Sequence, residues 1–456
     1  MSKTPYDPKT ANLLAFAPNV PKFVDGADTP RAYLERCLET IAAREPEVKA
    51  FVATNVEGAR AAADASTARY KAGRPASPID GMPVGIKDVV DTHDMPMEAG
   101  SPIMKANRPL TDAPSVYWLR RGGAAVVGKT VTTEFAFSTP GPTRNPWDTD
   151  RTAGGSSSGS GAAVGARMLP VTTGTQVRAS VLRPAAYSGV YALKPSHGGI
   201  NCTGGFPSPA SINHLGVLAG SLWDMWATAY YLSQTAGGDC GFRSLPGEPG
   251  LPAARRPKRI IRLDTAGWAE TTAPTRAAYE AFLDMLAARD VQIVGRKDDP
   301  AVEAFEREVA AILEVSTAIL TWEGRYPLQQ FYDRHRDQMG KTAADRMAAA
   351  EAMTPADYHR ALDRQARIRA MYEALAAQCD ALITLNAPCP APVGIPVGSP
   401  VYGDLSSITW APALNLPLLA VDNMPMGIQL LGGYYRDWEL TATGHWLVHL
   451  ALRGEG

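Results

Sequence analysis

Cysteine is scarce in this chain. Five occur, Cys37, Cys202, Cys240, Cys379 and Cys389, and no two form a Cys-x-x-Cys pair. Neither a zinc-ligand pattern nor a disulfide framework is suggested. Spare thiols in a reducing compartment are the expectation. An excess of one charge is also lacking: 45 basic residues face 46 acidic ones, a formal net charge of −1. With no long basic run there is no electrostatic reason to expect nucleic acid as a partner. No apolar run reaches the roughly 18 residues that span a bilayer. Met1 to Phe16 has no basic stretch followed by a long apolar one. The expectation is a protein with no signal peptide and no membrane anchor, cytoplasmic by default.

Apolar residues are plentiful. They make up 45% of 456 residues, enough for a core of considerable size. Length alone leaves two domains or one large one open. Thr29 to Tyr70 reads as helices, with Tyr33, Leu34, Cys37, Leu38 and Ile41 on one stripe. Pro83 to Ile86 and Ala124 to Val127 are short apolar runs that read as buried strands, the second after a helix containing Val116 and Leu119. Ala162 to Ala166 reads as a helix and Leu169 to Thr173 as a strand. Ala301 to Ala377 is rich in Ala, Glu and Arg and reads as a helical layer or cap. Strands at Leu382–Leu385 and Gly427–Leu431 and a helix from Asp437 to Leu452 follow. The mix predicts one large α/β unit.

Thr139 to Gly161 is a long stretch of Gly, Ser, Thr, Pro and Asn without apolar periodicity, a composition associated with function inside a globular chain. Its densest part, Gly154 to Gly161, suits backbone approach to a ligand with hydroxyls aimed into the site. A phosphate loop would need a lysine that is missing. A nucleophile elbow is a closer rival, because Gly155-Ser156-Ser157-Ser158-Gly159 fits Gly-x-Ser-x-Gly with Ser157 central. That pattern expects a strand just before it, where this chain has Arg151-Thr152-Ala153 in loop context. A flexible linker is the bland alternative. Two further segments stand out. Thr173 to Ala186 is a strand ending in a turn that presents Ser180. Gly85-Ile86-Lys87-Asp88 places a lysine at a strand end, flanked by Val84, Ile86, Val89 and Val90. A lone lysine is usually a solvated surface group; these neighbours favour burial.

Together these segments resemble the amidase signature family. The resemblance covers most of the chain and is densest from Pro83 to Gly198. It rests on Pro83–Asp88, Gly128-Lys129-Thr130 with Glu134-Phe135-Ala136, Arg144-Asn145-Pro146-Trp147-Asp148, the Gly/Ser stretch, the Ser180 segment, and Gly189-Val190 through Leu193-Lys194-Pro195. Leu414-Asn415-Leu416-Pro417 and Pro425 to Leu430 add to it. The resemblance implies an α/β fold with a large mixed central sheet, flanking helices and a helical cap. It implies one domain over 1–456, with a helical layer at about 29–72, a signature core at about 80–240, a cap at about 300–378 and core elements at about 380–452. It implies a C–N bond hydrolase in which Lys87 is the base, Ser156 the relay held by a cis peptide, and Ser180 the nucleophile.

The physics of such a triad is stated separately. A serine hydroxyl attacks well only if a base takes its proton. Lysine is that base only when neutral, and burial away from carboxylates lowers its pKa. The amides of Val177, Arg178, Ala179 and Ser180 would stabilise the oxyanion, at ~3 kcal/mol per donor. Gly155, Ser157, Arg178 and Trp410 are candidate substrate contacts. No metal or cofactor is called for, so a chelator should leave activity unchanged. The expected substrate is a small-molecule amide or carbamate, with anilides and esters open, acted on by a monomer or homodimer. Alternatives are the glutamine-hydrolysing component of a tRNA-dependent amidotransferase, or an inactive binding homologue.

The chain departs from the family at Val177-Arg178-Ala179, where small residues, often two glycines, are usual. Either Arg178 points away and lends only its N–H, or its charge binds a polar part of the substrate. Ser211-Ile212-Asn213-His214-Leu215-Gly216, a segment in which the family carries an Asp, and Thr384-Leu385-Asn386, in place of a more usual Thr-Pro turn, are further departures. A histidine base at His93 or His197 has no sequence partner to support it. Trp322, Tyr326, Phe331, Tyr332, Tyr402 and Trp410 are read as core rather than pocket.

Overall fold

A computed structural model describes residues 5–137 and 139–454. Met1–Thr4, part of the stretch read for a leader, lie outside the described residues. Eleven strands form one mixed sheet. They are β1 (Phe51–Thr54), β2 (Pro83–Lys87), β3 (Ala125–Thr130), β4 (Val171–Gln176), β5 (Tyr191–Lys194), β6 (His214–Ala219), β7 (Arg259–Arg262), β8 (Gln292–Val294), β9 (Ala381–Leu385), β10 (Ala413–Val421) and β11 (Met424–Leu431). Their order across the sheet is β1-β3-β2-β4-β6-β5-β10-β11-β9-β7-β8. The large mixed sheet with flanking helices is the architecture expected from the sequence.

Strands β2, β3, β4 and β6 are buried at every residue. Helices cover both faces there, which is why β2 reads as a continuous apolar run rather than an alternation. β2 runs parallel to β3 on one side and to β4 on the other, with Val84 opposite Val171 and Gly85 opposite Thr172. The carboxyl ends of β2 and β4 therefore emerge together. Such ends are where open α/β sheets place ligands.

The block read as helical from Thr29 to Tyr70 is two helices, Pro30–Val48 and Val56–Lys71, with β1 between them. Four residues of alternating burial are too short to show against helical flanks. Four helices, Pro300–Val309, Ile312–His335, Lys341–Ala352 and Pro355–Ala376, occupy the segment read as a cap.

The Gly/Ser stretch differs from its sequence reading. Ser158–Gly165 is a helix, wholly buried, packed against β4, β2 and the helix Leu182–Ser188. Its glycines serve close packing. A Cβ on Gly159 would collide with the Ala50 carbonyl oxygen and the Val131 nitrogen, both backbone atoms that cannot swing aside. Gly159→Ala is expected to destabilise the protein by about 3 kcal/mol, read as a lower urea midpoint at unchanged m-value. A wild-type midpoint would show that this packing is slack.

Candidate active site

Lys87 is the last residue of β2 and is fully buried. Its Nζ donates to Ser156 Oγ at 2.7 Å and to Thr175 Oγ1 at 2.9 Å, and lies 3.3 Å from the Thr175 carbonyl. Every partner is neutral. Burial alone drives its pKa well below the usual lysine value, because desolvation penalises the ammonium form. The adjacent carboxylate does not offset this. Asp88 is paired with Lys129 at 3.1 Å, and Lys129 also donates to the Val90 carbonyl at 2.8 Å. The acidic neighbour that would otherwise hold Lys87 protonated is thus committed elsewhere.

The Gly155–Ser156 peptide is cis. Ser156 and Ser157 are both fully buried. Ser157 precedes the helix Ser158–Gly165; its Oγ sits 3.4 Å from the Thr175 carbonyl and its amide donates to the Ser180 carbonyl at 3.2 Å. The lysine therefore meets Ser156 rather than the central serine of the elbow pattern. The Gly155 carbonyl accepts from Arg183 Nη2 at 2.6 Å.

Beyond β4 the chain turns through Val177-Arg178-Ala179-Ser180. Gln176, the last strand residue, holds this turn. Its Oε1 accepts from the amides of Val181 and Leu182 at 3.0 and 3.1 Å, and its Nε2 reaches the hydroxyls of Ser406 and Ser407. The Arg183 amide donates to the Ala179 carbonyl. The four amides of the turn itself are left uncommitted among the described residues. Arg178 keeps negative φ, so the turn does not need glycine there. Its guanidinium grips Asp404, with Nε 2.9 Å from Oδ1 and Nη2 2.9 Å from Oδ2. Asp404 is fully buried. The turn is thereby strapped to the short helix Asp404–Ile408.

Ser180 and Arg178 line a cavity of about 310 Å³, whose walls include Phe135, Phe137, Leu320 and the cap residue Arg346. Sequence reasoning missed Arg346, Asp404, Gln176 and Thr175. Thr175 and Gln176 fell in the segment singled out for Ser180, but beyond the strand read to Thr173, whereas β4 runs on to Gln176.

Trp410 is not in that cavity's lining. It stacks on His197 at 4.4 Å, with Arg369 on its ring at 3.2 Å, and donates to the Ser211 carbonyl. His197 is pulled down to about 3, first by burial and then by Lys194 and Arg369. It stays neutral, and its ring packs against His214, Phe242 and Trp410. His93 is exposed and lies 3.0 Å from Asp112. Tyr332 and Tyr402 are core residues, whereas Tyr326 is 70% exposed. No helix among the described residues is long and apolar enough to cross a membrane.

The sequence model of the Amidase family matches residues 32–441. One component of a glutamyl-tRNA(Gln) amidotransferase, from an Azoarcus species, is 32% identical, over 90% of this chain and 92% of its own. A crystal structure of an amidase superposes with a TM-score of 0.83 at 27% identity, covering 95% of this chain and 99% of that one. The structure of a vestigial protein complex bearing on the origins of an s-triazine catabolic enzyme gives 0.84 at 26% identity, over 96% and 98%. The buried lysine, the cis-linked serine and the strapped serine turn thus stand within a fold matched over most of its length, and the chain belongs to the amidase family.

Proposed function

We propose that this protein hydrolyses the C–N bond of a small-molecule carboxamide, with Ser180 as nucleophile, Ser156 as relay and Lys87 as base. One observation carries the reading: a fully buried lysine, with no acid against its Nζ, donates to Ser156 at 2.7 Å. In its neutral form Lys87 takes the Ser156 proton as Ser156 takes that of Ser180. Ser180 Oγ adds to the acyl carbon. The oxyanion meets the amides of Val177 to Ser180. The proton held by Ser156 and Lys87 goes to the leaving nitrogen, and the C–N bond breaks. Water then attacks the acyl-enzyme with the same pair as base. The chemistry is acyl transfer to water, so carbamates, anilides and esters belong to the same class.

The test is a chromogenic panel of an anilide, a primary amide, an aryl carbamate and an ester. Turnover of at least one, abolished in Ser180→Ala, supports the reading and names the bond. Full activity in Ser180→Ala ends it.

The pH dependence has a definite sign. Lys87 must be neutral to act, so kcat/KM rises with pH through the lowered lysine pKa and levels off above it. Stability moves the same way. Between the lowered folded pKa and the ordinary unfolded one, the unfolded chain binds the extra proton, so stability rises with pH through that window. A pH–rate profile that falls on the alkaline side of neutrality would remove Lys87 as base.

The amidotransferase relatives favour a second reading, the glutamine-hydrolysing component of a tRNA-dependent amidotransferase. Co-purification with partner chains and glutamine-dependent transfer would support it. A protein that acts alone, as monomer or homodimer, would not show them.

A further inference from the structure

Three guanidinium groups and no carboxylate line the cavity that holds Ser180. Each guanidinium stands differently. Arg178 is neutralised by Asp404, both of whose oxygens it occupies. Arg183 donates only to carbonyls, Gly155 at 2.6 Å and Gly398 at 2.7 Å. Burial pulls its pKa down to about 10. Arg346 projects from the helix Lys341–Ala352 and lays its guanidinium on the Phe137 ring, 4.7 Å from the centroid. Its Nη1 is shut off from solvent and has no hydrogen-bond partner. Its pKa is also lowered to about 10, first by burial and then by the charge of Arg178.

A charged donor closed off from water and left unpaired is costly, so it is normally met by a partner. None is present among the described residues. The arm that carries it is held in place. Glu134 accepts from the Gly340 amide at the start of that helix at 3.0 Å and from Ser101 Oγ at 3.0 Å. Arg346 is therefore a fixed donor at the wall of the nucleophile's cavity.

We propose that Arg346 binds a carboxylate of the amide substrate, and that this substrate carries no ammonium group. The inference rests on the hydrolytic reading above and names its substrate class. The second half follows from the same residues. An ammonium would enter a cavity lined by three guanidiniums and no acid, and the nearby carboxylate, Asp404, is already spent on Arg178. Phe135, Phe137 and Leu320 supply an apolar wall for a hydrocarbon spacer. The fitting class is the half-amide of a dicarboxylic acid rather than an α-amino acid amide such as glutamine. Its hydrolysis breaks the C–N bond; water supplies hydroxyl to the acyl carbon and a proton to nitrogen, giving a dicarboxylate and ammonia.

The test uses the full-length protein and the half-amides from malonamate to adipamate, with phthalamate, their methyl esters, and glutamine. Ammonia release is measured for wild type, Arg346→Gln and Arg346→Lys, each checked for native thermal unfolding. Wild type should favour its best half-amide over the matching ester by about 100-fold in kcat/KM, the scale of a charge pair in a desolvated site. Arg346→Gln should collapse that ratio toward one, and Arg346→Lys should recover part of it. Equal rates on half-amide and ester, a ratio unchanged in Arg346→Gln, or glutamine outperforming glutaramate would each overturn the proposal. Calorimetry on Ser180→Ala separates the two readings. If no amide is cleaved by wild type, hydrolysis falls. The anion site then stands if Ser180→Ala binds a half-amide and the added Arg346→Gln removes binding, and falls if no half-amide binds.

Discussion

Ser180→Ala and Lys87→Ala are each expected to lower kcat by about 10⁴- to 10⁶-fold under the proposed mechanism, since members of a catalytic triad act as a unit and each loss costs nearly the whole. Ser156→Ala should fall in the same range, because it removes the only hydroxyl that Lys87 meets on the Gly/Ser stretch. Ser157→Ala is expected to lose far less. Its Oγ rests on the Thr175 carbonyl and has no base beside it. The four variants, assayed on the best substrate of the chromogenic panel, distinguish the two serine assignments. A dead Ser157→Ala beside an active Lys87→Ala would restore the nucleophile-elbow reading. Combining Ser180→Ala with Lys87→Ala should add little to either loss.

The second large effect concerns the strap behind the nucleophile. Asp404 is fully buried, and the Arg178 side chain is 21% exposed. Breaking a buried pair by removing one partner is strongly destabilising, because it strands the other charge. Asp404→Ala should therefore cost about 3 kcal/mol, the remaining exposure of Arg178 holding it to the lower end of that range. Activity should fall with it, since the same helix holds Gln176 through Ser406 and Ser407. The double variant Asp404→Ala with Arg178→Met leaves no stranded charge and should be more stable than Asp404→Ala alone. Urea unfolding of the three proteins provides the measurement. A double variant no more stable than the single one would show that the ion pair is not what fixes the turn.

The replacement of the usual small residues by Val177-Arg178-Ala179 has a structural account in that pair. An arginine fits the turn because its φ stays negative and its charge has a buried partner. Arg178 neither points into solvent nor stands free for substrate. Arg346, which no motif marked, is the cavity arginine whose buried Nη1 has no hydrogen-bond partner among the described residues.

The amino-acid sequence by itself determined the family, several of the buried strands and the segments from which the candidate site residues come. Lys87, Ser156 and Ser180 lie in segments whose composition is locally unusual: a lysine closing an apolar strand, a Gly/Ser run, and a serine turn after a strand. Strand β2 could be read because both its faces are covered, so burial wrote an unbroken apolar run. β10 was not read as a strand. Its Leu416–Leu419 segment carries Pro417 at a register shift, where the ladder forgives a missing donor. β1 was hidden because four residues between two helices carry too little periodicity. The tertiary structure alone decided the electrostatics. Asp404 lies 226 residues from Arg178 in the chain, and Arg346 arrives from the cap. Whether a guanidinium is paired, or a lysine neutral, depends on burial and on distant partners. Neither leaves a local mark in the sequence, because charge–charge interaction acts through space rather than along the chain.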